Sequence, residues 1–189
     1  MTCRHPARPL PTLWLMTDER QGDALWAALD RLPRGGGVIV RHYGLPAAER
    51  RALFARIRRI GRVRGLVVLL AGSARTAVAW RADGVHGDAR RTARPLLRTA
   101  SAHAPREMIA AARGGAQLLF LSPVFATRSH PGAGALGPIR FGLAMRHART
   151  PVAALGGMTA ARARSLKGFG ISGWAAIDAW SAAPDGVRT

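Results

Sequence analysis

The chain has 189 residues, 48% hydrophobic and 21% charged, which suits one domain with a real core and excludes wholesale disorder. Its formal net charge of +19 would suit a polyanion partner, but Lys167 is the only lysine among 29 Lys+Arg residues. The arginines are spread along helix faces such as Arg50, Arg51, Arg56, Arg58 and Arg59, so a solvated basic surface is the plainer reading. A lone cysteine, Cys3, excludes a disulfide framework, and no apolar run near the N-terminus is long enough to target or span; a reducing cytoplasm is the expected compartment.

Residues 1–11, with Pro6, Pro9 and Pro11, read as an extension before a single domain at 12–189. Apolar runs then alternate with amphipathic segments. The pattern predicts a strand at Thr12–Thr17 and a helix at Asp23–Leu32, then a strand at Gly37–His42 and a helix at Pro46–Ile60. A strand at Gly65–Ala71 and a helix at Ala74–Arg81 follow, then a strand at Gly84–His86, with room for a short helix in Asp88–Pro95. Next come Leu97–Ala102 with helix Pro105–Arg113, Gln117–Val124 with helix Pro138–Arg149, Pro151–Leu155 with helix Thr159–Gly168, and a last strand at Ser172–Ile177. Proline suits the first turns at Pro105 and Pro138, Thr159 suits a helix cap, and Gly114 and Gly168 suit helix ends.

These strands are continuously apolar rather than alternating, which marks a parallel sheet covered on both faces. Eight strands alternating with helices predict an α/β fold, a single-domain (β/α)8 barrel with a short C-terminal end. An open doubly wound sheet is the alternative, weakened because Asp18-Glu19-Arg20 rather than a glycine-rich turn follows the first strand. In either fold, ligands sit at the C-terminal strand ends. Four of the six histidines, His42, His86, His103 and His130, fall there, as a polar cluster, a metal site or hydrogen-bonded framework. Arg41 reads either as an anion-binding cation or as the partner of Asp18; Gly156-Gly157 reads as a tight turn and a backbone anion site together. Thr127 and Ser129 flank a loop with Gly132, Gly134 and Gly137, either a ligand cover or a plain surface loop. The tryptophans read as core or interface packing.

Six motifs, in order, resemble the thiamine phosphate synthase/TenI family: Leu15-Met16-Thr17-Asp18, Val40-Arg41, Ala82-Asp83-Gly84-Val85-His86, Ser101-Ala102-His103, Ser122-Pro123-Val124-Phe125-Ala126-Thr127 and Ala154-Leu155-Gly156-Gly157-Met158. The resemblance implies a barrel of thiamine biosynthesis whose partners are small thiazole and pyrimidine phosphates. Synthases of the family join a pyrimidine methyl diphosphate to a thiazole phosphate and release pyrophosphate. On this resemblance Arg41, Ser101 and His130 are the candidates for catalysis. Thr127, Ser129, Gly156, Gly157 and His103 are the candidates for binding substrate and phosphate, and Asp88 is the candidate ligand for Mg2+. A homodimer is left open.

The chain also departs from the family pattern. Where the synthase's second strand carries Gln, Arg and Lys, this one has Ile39, Arg41 and Tyr43. Gly72 stands where the resemblance calls for a magnesium-holding aspartate, and the segment with the next carboxylate is shortened around Asp88. His130 replaces a lysine, Asp178 replaces a serine beside the thiazole phosphate, and Pro123 stands where a TenI tautomerase has histidine. The expected outcome is a synthase-like protein with a degraded diphosphate and metal site. A TenI-like protein that binds a phosphate ligand without the synthase reaction is the alternative, and a basic nucleic-acid binder is a weaker third.

Overall fold

A computed structural model describes residues 9–88, 93, 95–127 and 134–180. Eight parallel strands close into a barrel in sequence order, which settles the choice against an open sheet. They are β1 (Leu13–Met16), β2 (Gly37–Val40), β3 (Val67–Ala71), β4 (Gly84–His86), β5 (Leu97–Ala102), β6 (Leu118–Leu121), β7 (Val152–Leu155) and β8 (Gly173–Ala176). The helices are α1 (Ala24–Arg31), α2 (Ala47–Arg64), α3 (Ala74–Ala79), α4 (Pro105–Arg113), α5 (Gly137–Met145) and α6 (Ala160–Ser165). The expected helix in Asp88–Pro95 falls largely outside the described residues, as do Ser129, His130 and the chain after residue 180.

Strand alternation sorts the apolar residues into an interior and two outer layers. Trp14, Met16, Ile39, Leu69, Phe120 and Ala153 belong to the interior cluster, with Trp14 and Phe120 meeting edge-to-face at 5.4 Å. Leu15, Val38, Val40 and Val68 lie in one outer cluster with Phe54 and Ile57 of α2. Leu119, Leu121, Val152 and Ala154 lie in the other with Met108 of α4 and Phe141 of α5. Both faces of β2, β3 and β6 are therefore buried, which is why they read as unbroken apolar runs, while β5, with Arg98, Thr99 and Ser101, is only partly buried.

Trp14 fits because it lies opposite Gly37 in the β1–β2 register, and a Cβ on Gly37 would enter the indole ring. On the outer face of β8, Trp180 stacks on Trp174 at 5.0 Å, its indole N–H reaches Trp14 O at 3.4 Å, and its own carbonyl accepts from Arg31. A single aromatic ring thus covers part of the β8–β1 seam.

Element boundaries differ from expectation for local reasons. Helix α2 runs on to Arg64 because Gly61 is small enough to lie buried against Val68, and it stops at Gly65 in a left-handed conformation, φ 67°. Helix α5 ends at Met145 because its last turn tightens, with Arg146, His147 and Ala148 each donating to the carbonyl three residues back. Strand β6 ends at Leu121, two residues before Pro123, which has no N–H for the ladder.

Candidate functional site

Over β1–β3 the barrel mouth is held by charge. After β1 the chain enters a 3-10 turn at Glu19–Gln21 through a capping box: Asp18 accepts from Arg20 N, and Gln21 Oε1 accepts from Asp18 N at 2.8 Å. Gln21 also donates to Ile177 O at 2.9 Å, tying this turn to the end of β8. The Asp18 carboxylate is shared by two guanidiniums, with Arg20 Nε at 2.7 Å and Arg41 Nη2 at 2.8 Å. The Arg20 side-chain hydrogen bond is the largest influence on Asp18. Burial opposes it, while the Arg20 N–H and the charges of Arg41 and Arg20 assist, and the net effect holds the carboxyl below its ordinary value. Arg41 Nε donates to Thr17 O at 2.8 Å, and burial is the main cause that lowers its pKa.

The Thr17 hydroxyl accepts from Arg41 N–H and lies 3.0 Å from His42 Nδ1. His42 is buried, which lowers its pKa and keeps the ring neutral. It is thus a strut between the ends of β1 and β2.

Arg50, in the first turn of α2, was readable from sequence only as part of a solvated face. Its Nε donates to Arg41 O at 2.8 Å and its Nη2 to Ala71 O at 2.6 Å, so the guanidinium lies across the ends of β2 and β3. The Tyr43 ring lies beside it, 5.1 Å from centroid to Cζ. The available signal was position: the first turn after a β-to-α loop lies at the mouth end of a barrel.

His86 sits inside the barrel below the mouth, edge-on to Phe120 at 5.6 Å. Its Nδ1 is 2.9 Å from Thr99 Oγ1 and its Nε2 is 3.2 Å from Ser101 Oγ, so both ring nitrogens are engaged. Burial, helped by the charge of Arg41, pushes its pKa down to about 4, and the ring is neutral at physiological pH. His86 is the hydrogen-bonded framework that sequence reasoning weighed, and it orients the Ser101 hydroxyl.

Over β5–β8 an open hollow is lined at the mouth by Ser101, His103, Thr127, Gly156, Gly157, Arg162 and Asp178, with Arg41 at its wall, and it runs on along β8 past Trp174 and Trp180 to Thr12 and Arg31 at the other end of the barrel. His103 Nδ1 lies 2.8 Å from Ser122 O, a contact only a donor can make, so in the neutral ring Nε2 is the acceptor. The loop after β6 is fastened to the end of β7, with Val124 N donating to Leu155 O at 2.9 Å and Phe125 N to Gly156 O at 3.1 Å. Gly156 and Gly157 have φ values of 94° and 60°, and a Cβ on Gly156 would lie 2.7 Å from Pro123 Cα. Among the described residues no acceptor takes their N–H groups, which precede Thr159, the cap of α6. That is a backbone donor pair suited to an anion.

Of the sequence-predicted site residues, the structure brings Arg41, Ser101, His103, Thr127, Gly156 and Gly157 to one hollow. It does not bring Asp88 there: Asp88 Oδ2 accepts from Ala74 N–H at 2.8 Å, at the start of α3, whose cap Ser73 accepts from Thr76 N. No three carboxylate, imidazole or thiol side chains gather among the described residues. Magnesium on a diphosphate takes one or two carboxylates beside the substrate oxygens; here Asp88 is turned to a backbone N–H and Gly72 brings no carboxylate.

A family model described as thiamine monophosphate synthase matches residues 13–180. The chain belongs to this family. Thiamine-phosphate synthases similar to it include those of Methanoculleus marisnigri, 34% identical over 88% of this chain and 86% of that protein, and Geobacillus thermodenitrificans, 32% identical over 86% and 79%. The thiamine phosphate pyrophosphorylase of Pyrococcus furiosus superposes with a TM-score of 0.76 over 95% of this chain and 92% of that one, at 24% identity, a likeness of fold. Among the described residues no helix is long and apolar enough to cross a membrane.

Proposed function

We propose that this member of the family binds a thiazole phosphate over β5–β8 and retains at most weak synthase activity with magnesium. The observation that carries the reading is the convergence of Ser101, His103, Thr127 and the unpaired N–H groups of Gly156 and Gly157 on one hollow. The two glycines supply phosphate donors, and the Ser101 hydroxyl, oriented by His86, supplies a neutral hydrogen bond for a heteroaromatic ring.

In the synthase reaction the protein positions two substrates and stabilises departing pyrophosphate. Tyr43, Gly72 and His130 stand where the family resemblance calls for two lysines and a metal-holding aspartate. Each missing charge-assisted contact costs roughly 2–4 kcal/mol in the transition state, by analogy with deleted oxyanion donors. Even far from additive, three such losses slow turnover by orders of magnitude. The same replacements favour a second reading, a TenI-like protein that binds the phosphate ligand without the reaction.

The test is a synthase assay with both substrates and magnesium, run beside calorimetry with thiazole phosphate. The expected result is binding without ordinary turnover. Turnover on the order of 1 s⁻¹ or faster would overturn the weak-synthase reading. Absent thiazole phosphate binding would overturn both readings.

A further inference from the structure

The carboxylate that faces Arg41 leaves open which cation at this mouth is available to an anion. Arg41 and Arg20 share Asp18. Arg50 is in no salt bridge with any described residue, and its hydrogen bonds go only to the uncharged carbonyls of Arg41, Val40 and Ala71. Those bonds use Nε and Nη2. Nη1 has no hydrogen-bond partner among the described residues, and the side chain is half-buried. The fixed fork and the Tyr43 ring hold the guanidinium still, so little conformational entropy remains to be lost on binding.

Nη1 also lies 3.9 Å from the point where a Cβ on Gly72 would be. Gly72 is the position at which the family resemblance calls for a metal-holding aspartate, and its φ of 131° suits glycine alone. A carboxylate holding one divalent cation leaves a single net positive charge, and a guanidinium carries the same. The charge opposing any anion here is Glu19, whose Oε1 accepts from Gly44 N at 2.7 Å; it too forms no salt bridge with Arg50.

We propose that Arg50 is a diphosphate-binding residue, seated at the β2–β3 edge of the mouth, that takes the terminal phosphate oxygens of its ligand without a divalent cation. This rests on reading the mouth as a phosphate-ligand site, and it adds the residue and the metal independence. Arg50 lies outside the walls of the β5–β8 hollow, so a ligand that fills both carries its diphosphate at one edge and its ring beside Ser101.

The test uses inorganic pyrophosphate, which contains neither organic substrate, so it is separable from the synthase and thiazole phosphate assays. Titrated calorimetrically into the full chain in EDTA at low ionic strength, pyrophosphate binds, and replacing EDTA with magnesium does not strengthen binding. Arg50→Gln, shown to be folded by circular dichroism, binds about tenfold or more weakly, and Arg50→Lys falls between, because an ammonium keeps the charge and loses the fork. Absent binding in EDTA, a requirement for magnesium, or unchanged affinity in folded Arg50→Gln overturns the proposal. If Arg50→Gln does not fold, Tyr43→Lys decides. Tyr43 is 65% exposed, and a lysine there adds a second cation beside Arg50. Metal-free pyrophosphate binding then tightens severalfold, and an unchanged affinity overturns the proposal.

Discussion

Over β1–β3 the barrel mouth is packed with charged side chains engaged largely with one another and with strand-end carbonyls, whereas over β5–β8 glycine N–H groups, hydroxyls and an imidazole share an open hollow with Asp178 and Arg162. Arg20, Asp18, Arg41, Thr17 and His42 form one connected set that joins the ends of β1 and β2. Ser101, His103, Gly156 and Gly157 are each braced from behind, by His86, Ser122 and the loop after β6. A charge bound to its neighbour stabilises the frame and offers little to a ligand. A small group braced from behind offers its remaining hydrogen-bonding capacity to whatever enters. Arg50 is the exception within the charged half, because its partners are neutral.

The largest effect that would sharpen this contrast is expected at Gly156. Alanine there meets both a positive φ and Pro123, and the cost is about 3 kcal/mol or more in urea unfolding, with loss of thiazole phosphate binding. Gly35 is a control: its φ is 80°, but a Cβ there meets nothing within 4 Å, so alanine costs only the backbone strain, about 1 kcal/mol. Equal costs at the two sites would mean that the loop after β6 is not fastened to β7 as described.

His86 comes next. Its pKa lies at about 4 in the folded chain against 6.5 for the free group, so between those values the unfolded chain takes up a proton that the folded chain refuses. Its contribution is complete above about pH 6.5 and is lost as pH falls toward 4, by roughly 3 kcal/mol over that span. Denaturant midpoints measured across the range should follow this slope, and His86→Leu, though less stable at pH 7, should flatten it. An unchanged slope would show that another group titrates there.

Asp18→Asn tests the charged half directly. Stability should fall by about 1 kcal/mol, as for a partly exposed ion pair, while pyrophosphate affinity rises because Arg41 is released. The Asp18 carboxyl is held below its ordinary value, so its contribution is present above the unfolded pKa and lost as pH falls through the lowered folded one. Loss of stability without any gain in anion affinity would break the claim that pairing withholds Arg41 from ligands.

The smallest effect is expected at Asp178, which lines the hollow; the pKa of Arg20 is raised chiefly by its hydrogen bond to Asp18 and in lesser part by the Asp178 charge. Asp178→Ser should tighten thiazole phosphate binding a few-fold by calorimetry, with little change in stability. Weaker binding would mean that Asp178 organises the site instead of repelling the ligand.

The barrel was legible because the chain's two periodicities are clean over most of its length: apolar strands, β5 excepted, for a sheet largely buried on both faces, and amphipathic segments between them. The positions of Ser101, His103, Gly156 and Gly157 followed from the same source, since a strand end fixes where its last residues lie. Arg50 was not legible, because a helical arginine looks the same whether it faces solvent or reaches over a strand end; only the carbonyls of Arg41 and Ala71 distinguish the two. The pairing of Arg41 with Asp18 was one of two readings, and the choice between them is a matter of ångströms that no spacing carries. The extension of α2 past Gly61 likewise depended on a neighbour, Val68, that only packing reveals.

The fit of Trp14 against Gly37 has a consequence on a different scale, that of sequence drift. The indole occupies the space that any side chain at Gly37 would need, and its N–H is satisfied by Pro11 O at 2.7 Å. A change at Gly37 alone collides with the ring. A change of Trp14 to a small residue alone leaves a void, at a cost of about 3–5 kcal/mol. Neither position can wander by itself, so lineages that keep this tryptophan keep the glycine, and those that lose one refill the layer from the other. The two form a single inherited unit although 23 positions separate them in the chain, and a double-mutant cycle between Trp14→Leu and Gly37→Ala would read their interdependence as a coupling that offsets part of the two single losses.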